Sequence, residues 1–374
     1  MSNQFFAATR KGLFLYERKK SGWEIVRSAF LGDPVNIVLP VTRQGKLKAV
    51  FAAVGHEQWG TKMHRSLDGG KTFKEIGTPE YPKPPKGTKL VRDPMRNKDI
   101  EWKLQGVWAL EAGHPKQPQR LWCGTLPGGL FTSDDFGKSW KLNRVLWDRP
   151  ERAKWFGGGK DTAGIHSICV DPRRPGAVTL ALSCGGVWNT IDDGKTWSLD
   201  GMGIRNAYMP PGQEYDQTSQ DVHRLVRCPV APDRLWAQHH NGIFVTSDNS
   251  KSYIEIKNAK PSEFGFAVAV HPKEPDTAWF VPGIKDVQRF PVNAKLAVSR
   301  TRDGGKTFEV LTKGLPQKHA YDVVYRHALD VDNTGNMLAF GSTTGNLYVT
   351  ENGGDRWQNL STNLPPVYQI YFVK

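Results

Sequence analysis

The chain carries no apolar stripe of helical period. Its apolar residues fall in short strand-like segments separated by polar turn words. One segment type recurs, a glycine or asparagine followed by two apolar residues: Gly12-Leu13-Phe14, Gly129-Leu130-Phe131, Gly186-Val187-Trp188, Gly242-Ile243-Phe244 and Asn346-Leu347-Tyr348. A polar word of eight residues stands after most of these segments. Four copies are complete: Ser66 to Phe73, Ser133 to Trp140, Thr190 to Trp197 and Thr301 to Phe308. Two have drifted, Thr246 to Tyr253 with Ser250 in place of glycine, and Thr350 to Trp357 with Asn352 in place of aspartate.

The word has a physical logic. An aspartate and two hydroxyl side chains can bond turn amides, glycine supplies a positive φ, and the closing aromatic ring packs inward. It therefore reads as a self-locking hairpin turn. Successive aspartate-equivalent positions lie 67, 57, 56, 55 and 49 residues apart, a period that suits one four-stranded sheet plus loops.

Six words mark six sheets. A seventh begins at Gly12-Leu13-Phe14, where the word itself is lost across Glu17 to Trp23. The last apolar segment, Val367 to Val373, has nothing after it to pair with, so it is expected to complete the N-terminal sheet and close a ring. The predicted fold is all-β, a seven-bladed β-propeller closed by pairing the C-terminal strand with the N-terminal blade. The expected blades are 4–27 with 367–374, then 35–77, 105–146, 164–200, 221–258, 264–312 and 321–362, in a single domain over 1–374.

These words resemble the sialidase-like Asp-box (BNR-repeat) propellers. The closer resemblance is to bacterial propellers labelled glycosyl hydrolase or exo-sialidase, carried also by Thr9 to Phe14, Gly164 to Ile168, Asp221-Val222-His223, Phe264-Gly265-Phe266 and Gly314-Leu315-Pro316. The resemblance implies that turn words lie on the bottom face, that inter-blade loops lie on top, and that each innermost strand runs downward from the top. It implies no one activity, since the resembling families include enzymes, receptors and assembly factors.

Composition narrows the classes. The 38 glycines, 25 prolines and 13 tryptophans fit a turn-rich all-β protein. Nothing approaches a membrane span, and no leader pattern precedes the first strand, which points to a cytoplasmic protein. Cys123, Cys169, Cys184 and Cys228 lack paired zinc-site spacing and read as reduced core thiols. A net charge of +14 favours anionic partners. The basic residues are scattered, however, and the densest stretch, Lys83 to Arg96, holds three prolines and reads as a loop rather than a nucleic-acid groove.

Candidate chemistry gathers at the top. His166, His223 and His327 each stand five residues before the end of an innermost strand, where side chains can face the channel. Three imidazoles there can hold a divalent metal ion with an open position, move protons or bind substrate without metal, or bond neighbouring backbone. His56, His239 and His240 map to the same mouth between second and third strands, with the carboxylates Glu57 and Asp161. Trp59 can stack on a ligand or simply pack between blades.

Asp221 shares a strand face with His223 by alternation and is the preferred general base, with Tyr325 in the matching position before His327. The same alternation turns Arg224 and Arg326 away. Long insertions, 78–103, 147–163 and 201–220, are expected to form a lid. The reading that follows is a hydrolase or lyase acting on a small polar or anionic molecule. The alternatives are a scaffold whose top face binds a protein partner and, further off, an exo-sialidase, for which the Phe/Tyr-Arg-Ile-Pro motif is missing.

Overall fold

The computed structural model describes residues 2–56 and 58–374. Seven four-stranded antiparallel sheets form a ring, a seven-bladed β-propeller. The innermost strands are Val367–Phe372, Val35–Arg43, Gly106–Ala112, Ile165–Val170, Val222–Arg227, Gly265–Val270 and Leu329–Val331. Val367–Phe372 pairs with Gln4–Thr9, so the chain's last strand closes the blade that its first residues open. Among the described residues no helix is long and apolar enough to cross a membrane.

Stacked blades bury both faces of the middle strands, which is why their sequences read as apolar runs rather than as clean alternation. Leu235–His239 and Gly242–Thr246 are buried at every position. Trp122, Trp188, Trp236 and Trp279 are fully buried between blades. Two of their indole nitrogens also tie blades together: Trp236 donates to the Pro275 carbonyl and Trp279 to that of Gly353 in the next blade. Loss of one such ring is worth about 3–5 kcal/mol.

The turn words lock as their chemistry suggests. Asp68 Oδ1 accepts from the Lys71 and Thr72 amides at 3.0 Å, Thr72 Oγ1 donates to Oδ2 at 2.6 Å, and Ser66 Oγ accepts from the Gly70 amide at 2.8 Å. The pattern repeats around Asp135, Asp192 and Asp303. Ser250, which replaces glycine, takes the left-handed conformation at φ 72°. The four cysteines are buried and unpaired.

One irregularity positions the site. Near their top ends, the innermost strands of five blades shift register, leaving Asn36, Trp108, His166, His223 and Phe266 in the shifted stretches. The closing strand does the same at Tyr368. A bulge re-aims the extra side chain, and here most of these side chains turn into the channel.

Candidate active site

The top of the channel opens into a cavity of about 600 Å³, within the range that holds small ligands. The bulges supply much of its wall: Asn36, Trp108, His223, Phe266 and Tyr368. All three long insertions reach it, through Met95, through Phe156 with Gly158, Gly159 and Lys160, and through Tyr208.

Its floor is built around Asp221. The strand Leu235–His239 ends opposite Val222, and His239 Nε2 accepts the Asp221 amide at 3.0 Å while the His240 amide donates to the Asp221 carbonyl. The buried carboxylate then faces three groups. His240 Nδ1 lies 3.3 Å from Oδ2, His223 Nε2 lies 3.8 Å from it, and Ser183 Oγ donates to Oδ1 at 3.4 Å. Burial pushes the carboxyl pKa up, but the His240 hydrogen bond, with the pull of the neighbouring imidazoles in their protonated form, outweighs it, so Asp221 is held well below the usual carboxylate range.

His223 donates Nδ1–H to the Gly265 carbonyl at 2.7 Å and stacks on Phe266 at 4.4 Å. Burial lowers its pKa to about 3 against the opposing pull of Asp221, leaving a neutral ring whose Nε2 lone pair points at the carboxylate. Along the wall, the Arg326 guanidinium stacks over Trp108 at 4.8 Å and Phe266 at 5.7 Å. Its Nε is buried without a hydrogen-bond partner, and among the described residues no carboxylate lies within 4.0 Å of it. Arg289, which lies over the same Phe266 ring, is by contrast tied to Asp286, Nε to Oδ1 at 3.0 Å.

The sequence-derived candidates separate into two groups. Asp221, His223, His240, Tyr325 and His327 line the cavity. The expected metal ring of His166, His223 and His327 is not assembled. His327 Nε2 is engaged by the His166 carbonyl at 2.7 Å, and His166 bonds Ser167 Oγ and meets Trp108 edge-on. Of the six bulged side chains His166 is the one off the cavity wall, its ring held by Ser167 and Trp108. His239 is a buried second-strand residue, not a loop residue, with both ring nitrogens on backbone amides.

The other candidates stand off the cavity. His56 lies beside Asp33 at 3.6 Å, Asp161 is exposed near Arg96 at 3.6 Å, and Trp59 is 74% exposed. Glu57 lies outside the described residues. Arg326 corrects the alternation argument: the last inner strand begins only at Leu329, and Tyr325 to Ala328 form a turn, so strand alternation does not govern Arg326. Asp286, Arg289, Tyr208 and Lys160 were missed. Asp286 and Arg289 occupy the same connection, between second and third strands, that singled out His56 and His240; that equivalence was the available signal.

No family model matches the chain. Over 225 residues it is 24% identical to a probable oligoxyloglucan-reducing end-specific xyloglucanase of Neosartorya fischeri, covering 53% of this chain and 26% of that protein. The chain thus spans about a quarter of its curated relative. Among solved structures, an ancestral GH74 enzyme matches 90% of this chain with 38% of its own length, at 17% identity and a TM-score of 0.56. A candidate 6-phosphogluconolactonase of Bacteroides fragilis matches 99% of this chain with 98% of its own, at 9% identity and a TM-score of 0.56. At these identities the likeness is one of fold.

Proposed function

We propose that the chain is a hydrolase acting on a small anionic molecule bound in the top-face cavity. The observation that carries the reading is Arg326, a stacked guanidinium without an acidic partner among the described residues, facing the same cavity as the Asp221 and His223 pair. A half-buried guanidinium with no acidic partner attracts an anion, and a carboxylate or phosphate of the substrate supplies the missing partner. Asp221 and His223 then activate the attacking water, and Tyr325 donates a proton to the leaving oxygen. The similar proteins include a xyloglucanase and a candidate lactonase, whose chemistry is hydrolytic, and the free thiols fit a cytoplasmic setting.

The test is a panel of anionic esters, lactones, phosphoesters and sialosides, the last covering the exo-sialidase alternative. Asp221→Asn is expected to lower kcat/KM by about 100-fold or more for whichever member turns over, in line with loss of a positioned acid or base. Turnover of that member undiminished by Asp221→Asn would dismiss the site.

A second reading has its own observation. Met95, Tyr208 and Val287, exposed by 60, 41 and 80%, stand on the cavity or the adjacent hollow and could meet a protein partner. A stable partner covering Met95 and Val287, together with no turnover across the panel, would favour this scaffold function.

A further inference from the structure

We infer that Asp221, His223 and His240 bind a divalent transition-metal ion. Among the described residues this is the one group of three such side chains whose ligand atoms all lie within 4.8 Å of one another. Two imidazoles and one carboxylate form a mixed nitrogen and oxygen set suited to zinc, iron, manganese or cobalt, with positions left open toward the cavity.

The hydrogen bonding supplies the independent argument. The Gly265 carbonyl can only accept, so His223 Nδ1 carries the proton and Nε2 presents a lone pair. That lone pair faces Asp221 Oδ2, a second acceptor, at 3.8 Å, with both side chains almost fully buried. Two acceptors directed at one point require a cation or an added proton between them. His240 joins them differently: Nδ1 lies 3.3 Å from Asp221 Oδ2, close enough to donate to it, so coordination requires the proton to move to Nε2, which lies 3.9 Å from Asp286 Oδ2. A carbonyl or carboxylate bonded to the far nitrogen is the usual support of a metal-bound histidine; His223 has one in the Gly265 carbonyl, and Asp286 stands near enough to become one for His240.

Two of the three ligand distances fit with little movement, and the third, between His223 and His240, lies within 4.8 Å. Metal bonds of about 2.0–2.2 Å place neighbouring ligand atoms about 3–3.5 Å apart. The pair at 3.3 Å already meets this, and the pair at 3.8 Å needs a shift of a few tenths of an ångström. Gly158 closes the site from above: a Cβ on it would stand 3.0 Å from Asp221 Oδ2.

This inference deepens the hydrolase reading and rests on it for the use of the ion, though not for its binding. A water on the open side, its proton released to solvent, would be the nucleophile, with Asp221 and His223 holding the ion rather than taking the proton and Arg326 holding the substrate anion nearby.

The experiment is elemental analysis of the protein as purified, followed by titration of the chelated protein with cobalt(II) and zinc(II), read by the cobalt visible spectrum and by calorimetry. One equivalent is expected in the wild type, lost in Asp221→Ala and in His240→Gln, and retained in His166→Gln. His240 is partly exposed, so its variant reports on the site even where Asp221→Ala unfolds. Asp286→Asn is expected to weaken binding by about 10-fold. No metal uptake by the wild type, or uptake unchanged in His240→Gln and Asp221→Ala, overturns the inference. Metal uptake without turnover of any panel substrate would leave the metal site standing and count against the hydrolase; turnover without metal would do the reverse.

Discussion

Arg326→Met separates a ligand-binding arginine from a structural one. A structural arginine is held by carboxylates, and its loss strands them. Arg326 has none within 4.0 Å among the described residues, and its Nε is buried without a partner. Removing that unsatisfied group returns about 1–3 kcal/mol. Against this stand two cation–π contacts, to Trp108 at 4.8 Å and Phe266 at 5.7 Å, together about 1–2 kcal/mol.

Methionine keeps the stacked shape and a sulfur–aromatic contact of about 0.3–1.5 kcal/mol. The net expectation, taking the middle of each range, is about 1.4 kcal/mol in favour of the variant. With about 2.1 cal/mol/K of unfolding entropy per residue over 374 residues, that is a rise in Tm of about 2 °C. Anion binding moves the other way. A charge-assisted hydrogen bond of about 1.5–3 kcal/mol is lost, so the affinity for phosphate or a small carboxylate falls by about 10- to 150-fold. The assay is thermal melting with and without these anions. The wild type should gain Tm with added anion and the variant should not. A variant destabilised by several degrees, with the anion response intact, would refute the reasoning and make Arg326 a structural residue.

Two further outcomes follow from packing and titration. Gly158→Ala places a Cβ at 3.0 Å from Asp221 Oδ2, Cys184 Sγ and Ser183 Oγ. It should cost about 1–3 kcal/mol and reduce turnover, while Gly159→Ala, whose Cβ meets nothing within 4 Å, should change neither in melting and kinetic assays. His166 and His327 are held neutral by burial, their pKa values well below the ordinary 6.5, so the unfolded chain binds protons that the folded chain does not. Stability should therefore fall as pH drops below 6.5. A second loss should begin below about pH 4, where Asp192, held at about 2 by the Thr196 hydroxyl and amide, forfeits those bonds on protonation. A Tm that stays level from pH 7.5 to 5 contradicts the first part.

The ring was legible because each turn word fixes its own geometry from neighbouring residues, as Asp68 does with Thr72 and Ser66. Closure was legible because Val367–Phe372 had no other partner. The site was legible only in part, since it depends on breaks in the periodicity that sequence reasoning assumes. Asp221 and His223 do meet, at 3.8 Å, but Asp221 precedes the strand and His223 sits in a register shift, so alternation is not what joins them. Alternation also misplaced His166, whose ring is held by Ser167 and Trp108, and Arg326, because no strand exists at that point. A bulge adds a residue without changing composition or spacing, so nothing in the one-dimensional pattern marks it. Asp286 reaches His240 from the next blade, a meeting that follows from how consecutive blades pack rather than from local sequence.

The most direct test of the account is steady-state hydrolysis across the anionic panel by the wild type beside Asp221→Asn and Arg326→Met, with folding of each checked by melting. The account predicts turnover of at least one anionic substrate, with kcat/KM reduced by about 10-fold or more in Arg326→Met and by about 100-fold or more in Asp221→Asn. Folded variants as active as the wild type, or a wild type that turns over nothing and binds no small anion, would contradict it.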